Sequence, residues 1–584
     1  MSIEDASPAV PPPATPTPTA KPAIFLQDAC FQHRYIRSRD TSAIVERPER
    51  LRAVTIGLAA AISRLEGVAP VPEELGKPLD PDDLAAQLGR LNIQSAAGDA
   101  LKRPNPSVSV VRSSATADIL THPAVKYVHG DIDGDVYLEN LVAWTRDCKD
   151  KIDKGESEIP AHLSQGDLYL CPESLTAIQG AVGTVCEAVD AVAGSSQPAV
   201  ANQLPDTSVH PINRAFVAVR PPGHHCGEDT PSGFCFLNNV AIGAAHAHLQ
   251  HGINRVVIFD IDLHHGNGTQ SIVWQMNEET YRQTLETEGG GPAVKQGPQV
   301  YYGSIHDILS YPCEDGKAEL VQAASVSIHG SHGQYIENVH LQTHTSPAQW
   351  ETLYTAQYSK ILRKAEDFLD ATGGPGADVL VFISCGMDAS EHETPSMSRH
   401  NRRVPTSFFH RFARDACAFS DRYACGRIIS VLEGGYSDRA LTSGAMAHLS
   451  GLVDCAVDEE WWSVENLVLL EKATKKRRGG RQSLPQANVH PWLERAVAIF
   501  GSLDASPAHV APPKAPLPPS AMTLRDRKKT DSAASSPRGK PVVPTEPPES
   551  NSSSESSSSE DAPPSVAAKK LPRVILRLGP APGS

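Results

Sequence analysis

The chain lacks long apolar runs and paired cysteines. Hydrophobic residues make up 40% of its 584 residues, but no run approaches the ~20 apolar residues that a membrane helix requires. The first twenty residues have neither the basic start nor the apolar segment of a secretory signal. Eleven cysteines are scattered singly with no CxxC pair, which argues against a disulfide scaffold and a thiolate zinc cluster. These absences predict a soluble, intracellular protein without membrane contact.

Proline is concentrated at the two ends of the chain. Residues 1–22 hold 7 of the 48 prolines, and residues 506–584 hold 16 of them together with the run SSSESSSSEDAPPS. Because such segments have too few apolar residues to bury a core, we predict a disordered N-terminus over 1–22 and a disordered tail over 506–584. Residues 23–505 are then one folded domain. The net charge of −15 disfavours direct nucleic-acid binding by that domain.

Four continuous apolar runs alternate with segments of helical periodicity. They are AFVAV at 215–219, RVVIFDI at 255–261, VLVFI at 379–383 and RIISVL at 427–432. Such runs are typical of strands that are buried on both faces of a parallel sheet, so the fold class is α/β. Each run leads directly into glycine and polar residues. Because ligands bind at the carboxyl ends of the strands in such sheets, we predict a functional site there.

The segment FDIDLHHGNGTQ is the most informative of these strand ends. If the strand continues to its end, Asp260, Asp262 and His264 share one face, because side chains alternate along a strand. A carboxylate and an imidazole two residues apart can bind one zinc ion, while Asp260 behind them orients its neighbours. The segment therefore predicts a metal site.

Two further strand ends carry side chains suited to proton transfer. In RPPGHHC, a proline- and glycine-rich turn presents His224 and His225. Adjacent histidines are either metal ligands or acid–base catalysts, and imidazole titrates near neutral pH, which suits proton transfer. In LEGGY, Tyr436 follows two glycines, and its phenol can donate a hydrogen bond to a carbonyl oxygen that gains negative charge. Together with the metal site, these strand ends make a candidate active site.

The motifs as a set resemble those of a known family. ERPERLRA, DLYLCPES, AVRPPGHHCGEDTPSGFCFLNNVAIGA, FDIDLHHGNGTQ, YGSIHD and LEGGY follow one another in the order found in the zinc-dependent histone deacetylases. The chain most resembles the class II branch, and within it the fungal Hos-group members that have a C-terminal extension. The resemblance implies the arginase/deacetylase fold, with a single parallel eight-stranded sheet and helices on both faces.

The resemblance assigns a role to each matching residue of the metal and proton-transfer motifs. Asp262 and His264 correspond to two ligands of one Zn²⁺ ion. His224 and His225 correspond to the tandem histidines that move protons around the attacking water, and which of them is acid and which is base stays open. Tyr436 corresponds to the tyrosine that polarises the substrate carbonyl.

The resemblance also assigns supporting roles. Asp260 backs the first histidine and, with Ser304, helps to hold a monovalent cation such as K⁺. Asn267 backs the second histidine, and asparagine at this position is typical of class II. Gly233 and Phe234 correspond to the wall of the tunnel that holds the acetyl-lysine side chain.

The third metal ligand is the point at which this chain departs from the family pattern. A count of five residues from Asp388 predicts Glu393 as the third zinc ligand, with Glu391 and His392 as the alternatives. The stretch from about Met276 to Pro298 separates motifs that lie closer together in relatives, so it is predicted to be a surface loop.

These features predict zinc-dependent hydrolysis of N6-acetyl-lysine in histones and in other proteins, and hence chromatin regulation and transcriptional repression. The expected partners are acetylated histone tails, other acetyl-lysine proteins and chromatin corepressors that bind the tail. The basic clusters at Lys475–Arg478 and Arg525–Lys529 predict a nuclear location, with the cytoplasm as a second one.

Two alternatives remain at this point. One is a scaffold protein whose deacetylase-like domain is impaired by Glu393 and which acts through its tail. The other is an arginase-like ureohydrolase with two manganese ions, which the single DxH cluster and the tandem histidines disfavour.

Overall fold

A nine-stranded sheet forms the centre of the part of the chain that the computed structural model describes, which comprises residues 21–68, 108–130, 136–194, 211–291, 296–455, 457–475 and 490–505. The strand order is β2-β1-β3-β9-β8-β4-β5-β7-β6. The strands are β1 (Ala23–Gln27), β2 (Ser109–Ser113), β3 (Arg214–Ala218), β4 (Arg255–Asp260), β5 (Gln299–His306), β6 (Ser327–His329), β7 (Tyr335–His340), β8 (Val379–Cys385) and β9 (Ile428–Leu432).

The four apolar runs in the sequence form the centre of this sheet. They become β3, β9, β8 and β4, which are consecutive neighbours and mutually parallel. Almost every residue in them is buried, because helices cover both faces of the sheet. The predicted α/β class and parallel sheet are confirmed.

Eight strands were predicted, whereas the sheet has nine, and the additional strand lies at its edge. Eight strands are parallel, but β6 is a ninth, antiparallel to β7. It has only three residues, and two of them are exposed. Since it buries almost no apolar surface, it has no hydrophobic pattern that the sequence could reveal.

Thirteen α-helices lie among the described residues. They are α1 (Glu49–Val68), α2 (Pro123–His129), α3 (Tyr137–Asp153), α4 (Ser174–Gly194), α5 (Asn239–His251), α6 (Asn267–Glu288), α7 (Ala318–Ala323), α8 (Pro347–Leu353), α9 (Lys360–Ala371), α10 (Ser407–Tyr423), α11 (Asp438–Leu452), α12 (Val464–Thr474) and α13 (Pro491–Leu503). Helices α4, α5 and α6 form one layer against the sheet, and α9, α10 and α11 form another. Helix α1 packs on α11, and α13 packs on α1.

Two helices differ from what the sequence predicts. The predicted loop over 276–298 is wrong in its first half, because α6 continues to Glu288. Helix α4 is long and apolar enough to cross a membrane by length and composition, yet 67% of its most apolar window is buried inside the protein. Its small and aliphatic residues pack against α5 and the sheet, so it is a core helix.

Candidate active site

The carboxyl ends of the four central strands meet in one pocket. Tandem histidines follow β3, the DxH motif follows β4, a CGMD segment ends β8 and the LEGGY motif ends β9. Because these strands are neighbours in the sheet, segments as much as 200 residues apart in the chain come into contact. The predicted convergence of the four strand ends is confirmed.

A group of three metal-binding side chains lies at the bottom of this pocket. Asp262, His264 and Asp388 each offer one ligand atom, and these atoms lie within 4.8 Å of one another. His264 Nδ1 lies 3.1 Å from Asp262 Oδ1 and 3.0 Å from Asp388 Oδ2. All three side chains are buried. Two carboxylates and one imidazole are a donor set that suits Zn²⁺.

The electrostatics of this group favour a bound cation. Burial, together with the negative charge of Asp262, raises the pKa of Asp388 to about 6. Burial opposes protonation of His264, but the two carboxylates outweigh it and raise the pKa of His264 to about 10. A cation would relieve the repulsion between the carboxylates. Two glycines make room for the group, because a Cβ at Gly386 would collide with Asp262 and one at Gly434 with Asp388.

Glu393 lies outside this group in the structure, and its role as the third ligand stays a prediction. Its Oε2 accepts a hydrogen bond from the backbone N–H of Tyr436 at 2.7 Å, and its Oε1 accepts from the N–H of Ser437 and of Thr394. Asp388 joins the group because it lies three residues beyond the end of β8, still at the edge of the sheet.

Neither alternative residue joins the group. Glu391 accepts hydrogen bonds from the backbone and hydroxyl of Thr406. The carbonyl oxygen of His392 accepts from Ser437 Oγ.

The tandem histidines lie beside the metal-binding group and have different partners. His224 Nδ1 lies 3.1 Å from Asp260 Oδ2, and His225 Nδ1 lies 2.8 Å from Asn267 Oδ1. Burial opposes protonation of His224, but Asp262 and Asp260 outweigh it and raise the pKa of His224 to about 10. Burial and the neighbouring imidazoles lower the pKa of His225 well below its ordinary value.

The hydrogen bond that His225 donates to Asn267 fixes the tautomer of His225. An amide oxygen only accepts hydrogen bonds, so Nδ1 of His225 carries the hydrogen. The lone pair is then on Nε2, where it can accept a proton. Asn267 has this position because it is the first residue of α6.

Tyr436 and Phe234 form one wall of the pocket. Their ring centroids lie 5.7 Å apart. Burial raises the pKa of Tyr436 well above its ordinary value, so its hydroxyl keeps its proton. Gly233 has a φ of +50°, and a Cβ there would collide with the His225 ring. The predicted wall residues thus lie directly beside the predicted acid–base pair.

The strand ladder brings the two residues of the predicted cation site together. Asp260 on β4 and Ser304 on β5 are directly paired in register. The hydroxyl of Ser304 lies 2.8 Å from His306 Nδ1. Occupancy of this place by K⁺ stays a prediction.

Comparison with known proteins identifies the family. The histone deacetylase domain matches residues 95–452, which is more than half of the chain. The chain belongs to the histone deacetylase family. Histone deacetylase HOS3 of Saccharomyces cerevisiae is 34% identical over 462 residues, which cover 76% of this chain and 58% of that protein. The predicted class II and Hos-group resemblance is confirmed.

Two further matches are weaker. Type-2 histone deacetylase 1 of Dictyostelium discoideum is 26% identical over 49% of this chain and 20% of that protein. The chain therefore spans well under two thirds of the length of the curated relatives that it matches first. The crystal structure of the HDA15 HD domain aligns with 83% of this chain and 99% of its own, with 19% identity and a TM-score of 0.48.

Behind the pocket of this histone deacetylase domain lies a buried ionic network that the sequence did not reveal. Glu46 and Arg220 form a two-pronged ion pair, in which Arg220 Nε donates to Glu46 Oε1 at 2.7 Å. Arg50 donates to Glu46 at 3.0 Å and to the backbone carbonyls of Glu433 and Gly435. All three ionic side chains are fully buried. The ERPERLRA motif was visible as a resemblance, but nothing in its spacing pointed to these partners.

This network positions the LEGGY loop, which carries Tyr436. The Arg50 guanidinium lies 5.0 Å from the centroid of the Tyr436 ring, so it holds both the ring and the backbone on either side of Gly434. The Glu433 side chain in turn accepts from the backbone N–H of Gly223 at 2.7 Å and of His224. The ends of β3 and β9 are thereby tied together.

Several predictions lie outside the described residues. These are the character of residues 506–584 and of residues 1–20, the basic cluster at Arg525–Lys529, and most of the cluster at Lys475–Arg478. The domain boundaries and the nuclear location stay predictions.

Proposed function

We propose that this chain hydrolyses the amide bond of N6-acetyl-lysine in proteins, with acetylated histone tails as its main substrates. The observation that carries the proposal is the single pocket in which Asp262, His264 and Asp388 lie beside His225 and Tyr436. Membership of the histone deacetylase family supports the substrate class.

The donor set supports Zn²⁺ as the cofactor. Asp262, His264 and Asp388 would hold the ion, and a bound zinc polarises the substrate carbonyl and lowers the pKa of a bound water. Repulsion between the two buried carboxylates supports a divalent cation rather than a vacant pocket.

Each remaining step is assigned to a side chain of this chain. His225 Nε2 takes a proton from the attacking water, because its hydrogen-bearing Nδ1 is engaged by Asn267. The Tyr436 hydroxyl donates to the carbonyl oxygen as negative charge develops there. When the C–N bond breaks, a histidine of the tandem pair returns a proton to the lysine nitrogen. The products are acetate and a free lysine side chain.

The proposal extends to substrate binding and location. Gly233 and Phe234 form the wall along which the lysine side chain lies, and the net charge of −15 favours basic peptides. A nuclear location and corepressor partners of the tail belong to the proposal, since chromatin holds the expected substrates.

The impaired-scaffold alternative depends on glutamate replacing a metal-binding aspartate at position 393. Asp388 beside Asp262 and His264 supports the enzyme over the scaffold, because it offers a carboxylate for the metal whether or not Glu393 binds it.

The test is release of acetate from an acetyl-lysine peptide by the full-length, zinc-loaded protein. His225→Ala should lower turnover at least ~100-fold, as loss of a general acid–base group does, while zinc per chain is unchanged. Tyr436→Phe should lower it ~100- to 1000-fold. His332→Ala, at an exposed histidine of the β6–β7 connection, is the matched control. Near-normal turnover by metal-loaded His225→Ala would contradict the proposal.

A further inference from the structure

A second group of metal-binding side chains lies on helices α4 and α5. We call it the distal cluster. It consists of His122, which precedes α2, Cys186 and Asp190 on α4, and His246 and His251 on α5. None of these residues takes part in the pocket.

The distal cluster is well separated from the catalytic pocket. Helix α5 begins at Asn239, close to the end of β3, where the Asn239 side chain donates to the carbonyl oxygen of Pro221. With a rise of about 1.5 Å per residue, His246 lies about 10 Å and His251 about 18 Å further along the helix. The cluster therefore lies toward the amino ends of the strands, away from the pocket.

The ligand atoms of the distal cluster form two overlapping sets of three. One atom each of His122, Cys186 and His246 lies within 4.8 Å of the others, and the same holds for Asp190, His246 and His251. The pocket group Asp262–His264–Asp388 meets the same criterion. A tetrahedral zinc site with bonds of about 2.0–2.3 Å needs ligand atoms about 3.3–3.8 Å apart. Ligand atoms that lie within 4.8 Å of one another need to move closer by at most about 1.5 Å to reach that spacing.

The inner part of the distal cluster, which is His122, Cys186 and His246, contains a ligand atom that makes no hydrogen bond within the described part of the chain. The His122 ring stacks on the His246 ring at 5.6 Å. Its Nδ1 is buried and has no hydrogen-bond partner within the described part of the chain. Cys186 is buried beside them. A buried imidazole nitrogen without a partner is costly in a folded protein, and a metal ion would satisfy it.

The outer part of the distal cluster resembles the supporting shell of a metal site. Asp190 Oδ1 accepts from His246 Nε2 at 2.8 Å and from His251 Nε2 at 2.7 Å. Metal-binding histidines commonly donate their second N–H to a carboxylate in this way, which orients the ring. The Asp190 side chain is 54% exposed, so an ion can enter from solvent.

We propose that the distal cluster binds a second transition-metal ion of the zinc class, with His122, Cys186 and His246 as ligands and Asp190 orienting His246. Two imidazoles and a thiolate select zinc or its neighbours over Mg²⁺ and Ca²⁺, which prefer oxygen ligands. The ion would join the start of α2 to α4 and α5. This proposal is independent of the catalytic one because the two sites share no residue.

Cobalt substitution distinguishes the two sites by spectroscopy. The pocket group contains no cysteine, whereas the distal cluster supplies a thiolate, so only the distal cluster gives a thiolate-to-Co²⁺ charge-transfer band in the near ultraviolet. We expect the full-length protein to bind two Co²⁺ ions per chain and to show this band. Cys186→Ser should remove the band and one equivalent of metal while peptide deacetylation is retained. Cys425→Ser, at an exposed cysteine, should change neither.

A second variant covers the case in which Cys186→Ser does not fold. Asp190→Asn changes a half-exposed carboxylate and should weaken binding of the second ion ~10- to 100-fold, as loss of an outer-shell partner does. Binding of only one Co²⁺ per chain without the band, or a band that persists in Cys186→Ser, would overturn the proposal. Unchanged affinity of Asp190→Asn for the second Co²⁺ ion would overturn the role of that carboxylate.

Discussion

At the scale of single residues, Asp388 and Glu393 differ in their hydrogen-bond partners. This difference indicates that the two carboxylates have different roles. Asp388 accepts one backbone hydrogen bond, from Leu263, and its other oxygen is directed toward His264. Glu393 uses both oxygens to accept N–H groups of the loop that carries Tyr436. The first carboxylate is free to bind a cation, and the second holds a loop.

This difference predicts opposite results for two isosteric changes. Asp388→Asn should weaken zinc binding by more than the ~10- to 100-fold that loss of an outer-shell partner costs, and activity should fall with it. Glu393→Gln should leave zinc bound and lower turnover about 10-fold, because one charge-assisted hydrogen bond of about 1.5 kcal/mol to the Tyr436 loop is lost. Metal content per chain and peptide turnover are measured on both. Loss of zinc in Glu393→Gln but not in Asp388→Asn would identify Glu393 as the third ligand.

The residues of the site differ in how well the sequence could predict them. His224, His225, Asp262, His264 and Tyr436 stand in compact motifs at strand ends, and the structure brings them together as expected. Asp388 entered the sequence argument only as the starting point of a count along the chain. Its place beside Asp262 and His264 is set by where β8 ends, which is a property of the sheet.

At the scale of elements, α1 is tied to the ends of two strands. Glu46 lies just before α1 and Arg50 lies in its first turn, while Arg220 follows β3 and Glu433 follows β9. Burial raises the pKa of Glu46, but the two arginines outweigh it, so the pKa lies well below its ordinary value of 4.5. The carboxylate is therefore charged in the folded protein at all ordinary pH values.

Glu46→Gln should lower the free energy of unfolding by about 3–5 kcal/mol near neutral pH, because two buried arginines lose their counter-charge. The pKa is lower in the folded state, so the carboxylate stabilises the fold fully above pH 4.5. This contribution is lost as the pH falls toward the folded-state value. The difference in the free energy of unfolding between the wild type and Glu46→Gln should therefore become smaller at acidic pH. Denaturant unfolding at several pH values measures it.

The control for this prediction is Glu279→Gln. Glu279 pairs with Arg282 on the exposed face of α6, where both side chains are about half exposed. Its loss should change stability much less, since exposed ion pairs are screened by solvent. An equal effect of the two substitutions would contradict the role given to the buried network.

At the scale of the whole molecule, the pocket and the core fall within one part of the chain. The residues assigned to catalysis and metal binding lie between Glu46 and Tyr436. The last described helix, α13, packs on α1 through buried residues such as Leu493 and Phe500.

A chain that ends at Ala505 should keep its melting temperature and its peptide turnover, because the composition of residues 506–584 offers little apolar area to bury. A chain that ends at His490 also loses α13 and should melt at a clearly lower temperature. Thermal unfolding and acetate release are compared on the three proteins. A large drop in melting temperature or in peptide turnover in the chain that ends at Ala505 would show that the tail contributes to the folded domain.

The sequence by itself determined the α/β class, the four central strands and most of the pocket. A strand buried on both faces must be continuously apolar, and catalytic side chains cluster where such strands end, so this information is local. The edge strand β6, the place of Asp388 beside Asp262 and His264, the Glu46 network and the distal cluster were decided by the tertiary structure alone. Except for β6, which pairs with the neighbouring strand β7, each depends on distances between segments far apart in the chain, such as the 124 residues between His264 and Asp388. Only the packing of strands and helices brings those atoms within reach of one another.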